Sequence, residues 1–156
     1  MLHSLLLLAT ALLIALSTPS MAHETHGYGR GGFLSGFLHP VLGLDHVVAM
    51  VAVGLWGAVL ERPAIWLLPI VFPLAMAFSA ALGVIGVPLP FVETGIAVSA
   101  VAIGLLIALF ARPPLWFAAG VVGIFALFHG HAHGTELPHT VNPFAYALGF
   151  VLSTGL

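Results

Sequence analysis

No cysteine and no lysine occur in the 156 residues, and only 5% of the chain is charged. The missing cysteine excludes disulfides and thiolate metal centres, so any bound metal must take nitrogen or oxygen donors. With three arginines and no lysine, the chain has no basic surface able to neutralise nucleic-acid phosphates, which excludes nucleic-acid binding. Soluble domains carry about 25% charged residues, a level this chain falls far below. What it has instead is 61% hydrophobic residues and a mean hydropathy of +1.19. A chain of this size buries only about two thirds of the surface its unfolded form exposes, so lipid must cover the remainder. The apolar runs do not alternate with polar residues, as the strands of a membrane barrel require. The expected fold is therefore all-α, a polytopic bundle of transmembrane helices in a lipid bilayer.

Residues 1–22 read as a signal peptide. An apolar run over 5–16 is too short to cross a core of ~30 Å, and Ser20-Met21-Ala22 offers the small-x-small pattern that signal peptidase cleaves. The membrane domain is then 23–156, with helices predicted at about 41–60, 64–82, 91–111 and 115–133. A partial helix begins at 143, too short to cross, which leads us to expect a chain that stops inside its last span. The separators Glu61-Arg62-Pro63, 83–90 and Arg112-Pro113-Pro114 are rich in residues that end or start helices. Pro69 and Pro73 should kink the second helix. A secreted N-terminus would lie outside, making the loops at Arg62 and Arg112 cytoplasmic, in agreement with the positive-inside rule.

Polar residues are rare enough to be traced one by one. His39-Pro40-Val41-Leu42-Gly43-Leu44-Asp45-His46, with Met50 beyond, opens the first predicted span. Pro40 suits a first helical turn, and His39 and His46, seven apart, can share a helical face. A carboxylate inside a membrane helix costs about 2.5–3.5 kcal/mol on insertion scales, so Asp45 calls for a partner. That partner is either His46, in a structural hydrogen bond, or a cation. The second cluster is Phe128-His129-Gly130-His131-Ala132-His133-Gly134-Thr135-Glu136, with His139 after it. His129 and His133 have the i, i+4 spacing that puts two imidazoles on one face, and Glu136 follows three further on if the helix continues. His131 should point elsewhere. Glu93, near the start of the third span, is explained by the helix dipole when taken alone. In the expected topology, however, it shares the external level with both histidine clusters. His23, Glu24 and His26 would begin the mature chain and could capture a metal there.

These motifs resemble those of the HupE/UreJ family of bacterial membrane proteins, proposed secondary permeases for nickel or cobalt. The resemblance rests on His39-Pro-x-x-Gly43-x-Asp45-His46-x-x-x-Met50, Glu93-Thr-Gly-Ile-Ala and Phe128-His129-Gly-x-Ala-His133-Gly-x-Glu136, and covers about 33–156. It implies a multi-pass protein of the bacterial inner membrane that transports Ni²⁺ or Co²⁺ and is accessory to hydrogenase or urease. The implied metal contacts are His39, Asp45, His46, His129, His133 and Glu136, with Glu93 as a further candidate. No tightly bound cofactor and no enzymatic activity are expected. Ligand type alone does not separate nickel and cobalt from copper and zinc. The rival readings are an intramembrane metal-dependent hydrolase, which would need an open coordination position and a substrate cleft, and a metal-binding accessory protein without transport.

Overall fold

Apolar runs interrupted by proline and glycine become six helices in the computed structural model, which describes residues 32–137 and 141–155. They are α1 (Gly32–Leu42), α2 (Leu44–Leu60), α3 (Ala64–Val84), α4 (Val92–Ala108), α5 (Leu115–Thr135) and α6 (Pro143–Thr154). No strand occurs among the described residues, and the fold is all-α. The expected signal segment and the residues His23 and His26 lie outside the described residues.

Two helices, α3 and α5, are long and apolar enough to cross a membrane on their own, at 21 residues each, or roughly 30 Å of helix. Pro69 and Pro73 lie within α3, which runs unbroken from Ala64 to Val84. The 17-residue α4 and the 12-residue α6 are shorter apolar helices. The end of α4 comes three residues before the predicted 111, and Phe110 there takes a positive φ of 50°. Asn142 caps α6, its side chain accepting from the Phe144 and Ala145 N–H groups at 3.1 Å, with Pro143 in the first turn where its missing N–H costs nothing.

The first predicted span differs most from expectation. Where one helix over 41–60 was predicted, α1 and α2 meet at Gly43 with a bend of 70°. Pro40 does not open a helix; it sits near the end of α1, buried. A proline so close to a C-terminus spoils little of the helix behind it, and Gly43, with extended backbone (φ −81°, ψ 112°), ends the run. Together α1 and α2 pass as one broken span or a re-entrant pair.

Backbone contact organises the helices into two tight pairs. On α5, a Cβ at Gly130 or Gly134 would run into the Met76 or Ala80 carbonyl of α3. Between α1 and α6, Gly36 and Gly149 allow the same closeness against Tyr146 and Phe33. Such small-residue crossings are how membrane helices associate where lipid supplies no hydrophobic drive. Trp56, Leu68, Met76, Ala118 and Val122 fill the core between α2, α3 and α5. Outside, Leu74, Phe78, Leu105 and Ile124 are all more than half exposed, as lipid-facing side chains are.

The two ends of the bundle differ. At one, the loops after α2 and α4 meet: Arg112 pairs with Glu61 at 3.2 Å, and Trp56 Nε1 donates to the Ala111 carbonyl at 3.2 Å. Trp66 and Trp116, at the starts of α3 and α5, are exposed at this end, the level at which tryptophan favours a membrane interface. The histidine-bearing end of α5 lies opposite.

Candidate metal centre

Three helices deliver the polar residues to one place. His39 comes from the last turn of α1, Asp45 and His46 from the first turn of α2, and His129 and His133 from the last two turns of α5. On a straight helix, residues seven apart are separated by about 10 Å along the axis. His39 and His46 nevertheless lie with ring centroids 5.1 Å apart, edge to face, because the chain turns between them. They meet across the Gly43 bend and not along one helical face, which corrects the sequence reading. A Cβ on Gly43 would lie 2.9 Å from Asp45 Oδ1, 3.2 Å from the His39 carbonyl and 3.3 Å from His46 Nδ1. The break is therefore also the one position that must stay bare for these groups to close in.

Asp45, His46, His129 and His133 each offer a donor atom, and these four atoms lie within 4.8 Å of one another. Nitrogen and oxygen donors around a transition metal at ~2.1 Å stand about 3–4 Å apart, so the group needs only a small contraction to enclose an ion. The ring of His46 lies 4.7 Å from that of His129 and 4.4 Å from that of His133. His39 closes the set at 4.8 Å from His133.

The polar atoms in this group are only partly satisfied by one another. Asp45 Oδ2 is 3.3 Å from both His46 Nδ1 and His129 Nε2, and the second ring nitrogen of His46, Nε2, is buried with no hydrogen-bond partner. His46 is wholly buried, whereas the Asp45 side chain is 41% exposed. A buried polar group left unpaired costs about 1–3 kcal/mol. Here the open His46 nitrogen is available to a cation, with the Asp45 carboxylate at the exposed edge of the centre.

The other candidates stand apart. Glu136 caps α5 and is exposed, and Glu93, in the first turn of α4, is exposed as well. Neither belongs to the four-donor group. Glu93 is near the same end, since the neighbouring Gly95 lies directly against the Phe128 ring. His131 points away from the cluster as its spacing requires, and its Nε2 bonds the Val87 carbonyl at 2.7 Å, tying α5 to the loop after α3. Met50 packs against the core. His139 is outside the described residues.

One wall of the site was not foreseen. Phe150 of α6 lies 5.4 Å from the His46 ring, 6.2 Å from His39 and 6.3 Å from His133, with Tyr146 stacked against it at 6.2 Å. An aromatic pair at i, i+4 in an apolar helix is ordinary core spacing, so no signal in the sequence marks it.

With this geometry in view, the comparisons with known proteins decide the family. The family model described as HupE / UreJ protein matches residues 10–156. The chain belongs to the HupE/UreJ family. It is 48% identical over 145 residues to Protein HupE of Rhizobium leguminosarum bv. viciae, an alignment covering 93% of this chain and 76% of that protein. No solved structure matches it. The two histidine motifs that carried the resemblance supply the centre: His39, Asp45 and His46 from the first, His129 and His133 from the second.

Proposed function

We propose that this HupE/UreJ protein is a permease, not an enzyme, that carries Ni²⁺ or Co²⁺ across the bacterial inner membrane. Its entry site is the His39, Asp45, His46, His129 and His133 centre near the external face. The observation that carries the reading is that Asp45, His46, His129 and His133 bring one donor atom each to within 4.8 Å of one another, with His46 wholly buried, among apolar helices. Imidazole with one carboxylate suits late first-row divalent ions better than the hard, oxygen-seeking Mg²⁺ or Ca²⁺. An exposed Asp45 edge lets an ion keep part of its water, and a transported ion must leave as readily as it arrives. The external assignment rests on the loop arginines: Arg62 and Arg112 lie at the end opposite the histidines and belong on the cytoplasmic side.

The test is metal accumulation in cells expressing the full-length protein, compared across nickel, cobalt, copper and zinc at matched membrane expression. Nickel or cobalt accumulation that disappears in His46→Ala supports the permease. Binding by purified protein without accumulation would identify a metal-binding accessory protein instead.

A further inference from the structure

Phe150 is 5% exposed and packs against the rings of His39, His46 and His133. On its other side is a cavity of about 210 Å³ whose lining includes Met76, Ala80, Gly130, His133, Tyr146 and Phe150 and is apolar apart from His133 and Tyr146. The ring thus stands between this cavity and the rings of His39 and His46, while His133 borders both. A water molecule takes up about 30 Å³ of liquid and settles in a cavity when it finds two or more polar partners. If the ring were absent, cavity and imidazole cluster would merge, and His39, His46 and His133 would supply those partners. With the ring in place, neither His39 nor His46 lines the cavity, and of the imidazoles only His133 meets it.

We infer that Phe150 is a specificity-determining residue of the metal centre, screening His39 and His46 from the α6 cavity so that ions willing to exchange water for imidazole nitrogen are accepted and ions that retain their water are refused. The inference rests on the proposed metal-handling function and names what sets its selectivity. The physical reason lies in dehydration. Mg²⁺ gives up its water reluctantly and normally keeps several water ligands in protein sites, whereas nickel and cobalt bind imidazole strongly. An apolar shell around a metal centre controls solvent access and so decides which of these behaviours the site permits. Tyr146, stacked on Phe150 and 6.0 Å from the His39 ring, holds the phenyl ring in place.

The experiment is calorimetric titration of purified full-length protein in detergent with Ni²⁺, alone and with Mg²⁺ as competitor, for the wild type, Phe150→Ala and Phe150→Leu. Phe150→Ala should lose discrimination between the two ions by about tenfold or more, the range in which outer-shell changes alter metal sites. Phe150→Leu, which keeps an apolar plug, should retain it. A purely structural role would weaken both ions equally and leave the ratio unchanged. If Phe150→Ala is not monodisperse, Phe150→Val, a smaller truncation, is measured in its place with the same expectation. An unchanged nickel-to-magnesium ratio in the truncated protein, with wild-type nickel binding intact, overturns this inference alone. A wild-type protein that binds no Ni²⁺ overturns the proposed function and this inference with it.

Discussion

Replacing Gly43 by alanine should damage the metal centre while sparing the bundle. The new Cβ would fall 2.9 Å from Asp45 Oδ1 and 3.3 Å from His46 Nδ1, closer than carbon and these atoms rest against each other. The Asp45 carboxylate, at the mobile end of its side chain and partly exposed, is the group that yields, and it is one of the four donors. Alanine also favours helix over glycine by about 1 kcal/mol, which biases the chain toward running α1 straight into α2. A straight helix would part His39 from His46 by about 10 Å along its axis. Both effects act on the donors, and neither touches the α3–α5 core. Nickel affinity should fall by about 10–100-fold, as when a supporting group of a metal site is lost. The melting temperature of the metal-free protein should change little. The assay is nickel titration of Gly43→Ala and wild type in the same detergent, with thermal unfolding of both apo proteins as control. Equal nickel affinity in the two would refute the claim that the Gly43 bend builds the site.

His46→Ala and His129→Ala should each abolish nickel accumulation at matched expression, because each removes a buried donor, as metal uptake by cells will report. His131→Ala should keep nickel affinity yet unfold more easily by about 1–2 kcal/mol, having lost a buried hydrogen bond to Val87, measured by thermal or denaturant unfolding beside nickel titration. Asp45→Asn should weaken nickel binding, whereas Glu93→Gln and Glu136→Gln should leave equilibrium affinity unchanged, since both glutamates lie outside the donor group; parallel titrations will separate them. Gly134→Val should sharply lower the yield of folded, monodisperse protein, because its side chain would occupy the place of the Ala80 carbonyl across the α3–α5 crossing, as size-exclusion chromatography will show.

The helical class was legible because apolar runs over 64–82 and 115–133 admit no other element in a bilayer, and because Pro63, Pro114 and Pro143 mark helix starts plainly. The break at Gly43 was not. A single glycine in an apolar stretch is common in membrane helices, so nothing in the local sequence singles out Gly43 as the place where α1 and α2 part by 70°. His129 and His133 could be paired from spacing alone, as could the outward turn of His131, since a regular helix fixes both. The pairing of Asp45 with His129 joins residues 84 apart in sequence, which no local pattern specifies. Glu136 followed the motif in sequence but fell at the helix cap, where the turn ends and its side chain faces out. The aromatic wall from α6 was invisible because Tyr146 and Phe150 look like any core pair until the histidines are placed beside them.

The central claim is that side chains of α1, α2 and α5 form one metal centre, and nickel K-edge X-ray absorption of the Ni²⁺-loaded protein tests it most directly. The account predicts a spectrum with scattering from several imidazole rings and a mixed nitrogen and oxygen shell, with the imidazole contribution reduced in His46→Ala and in His129→Ala alike. A spectrum of a fully hydrated ion, or one that neither substitution changes, would contradict it.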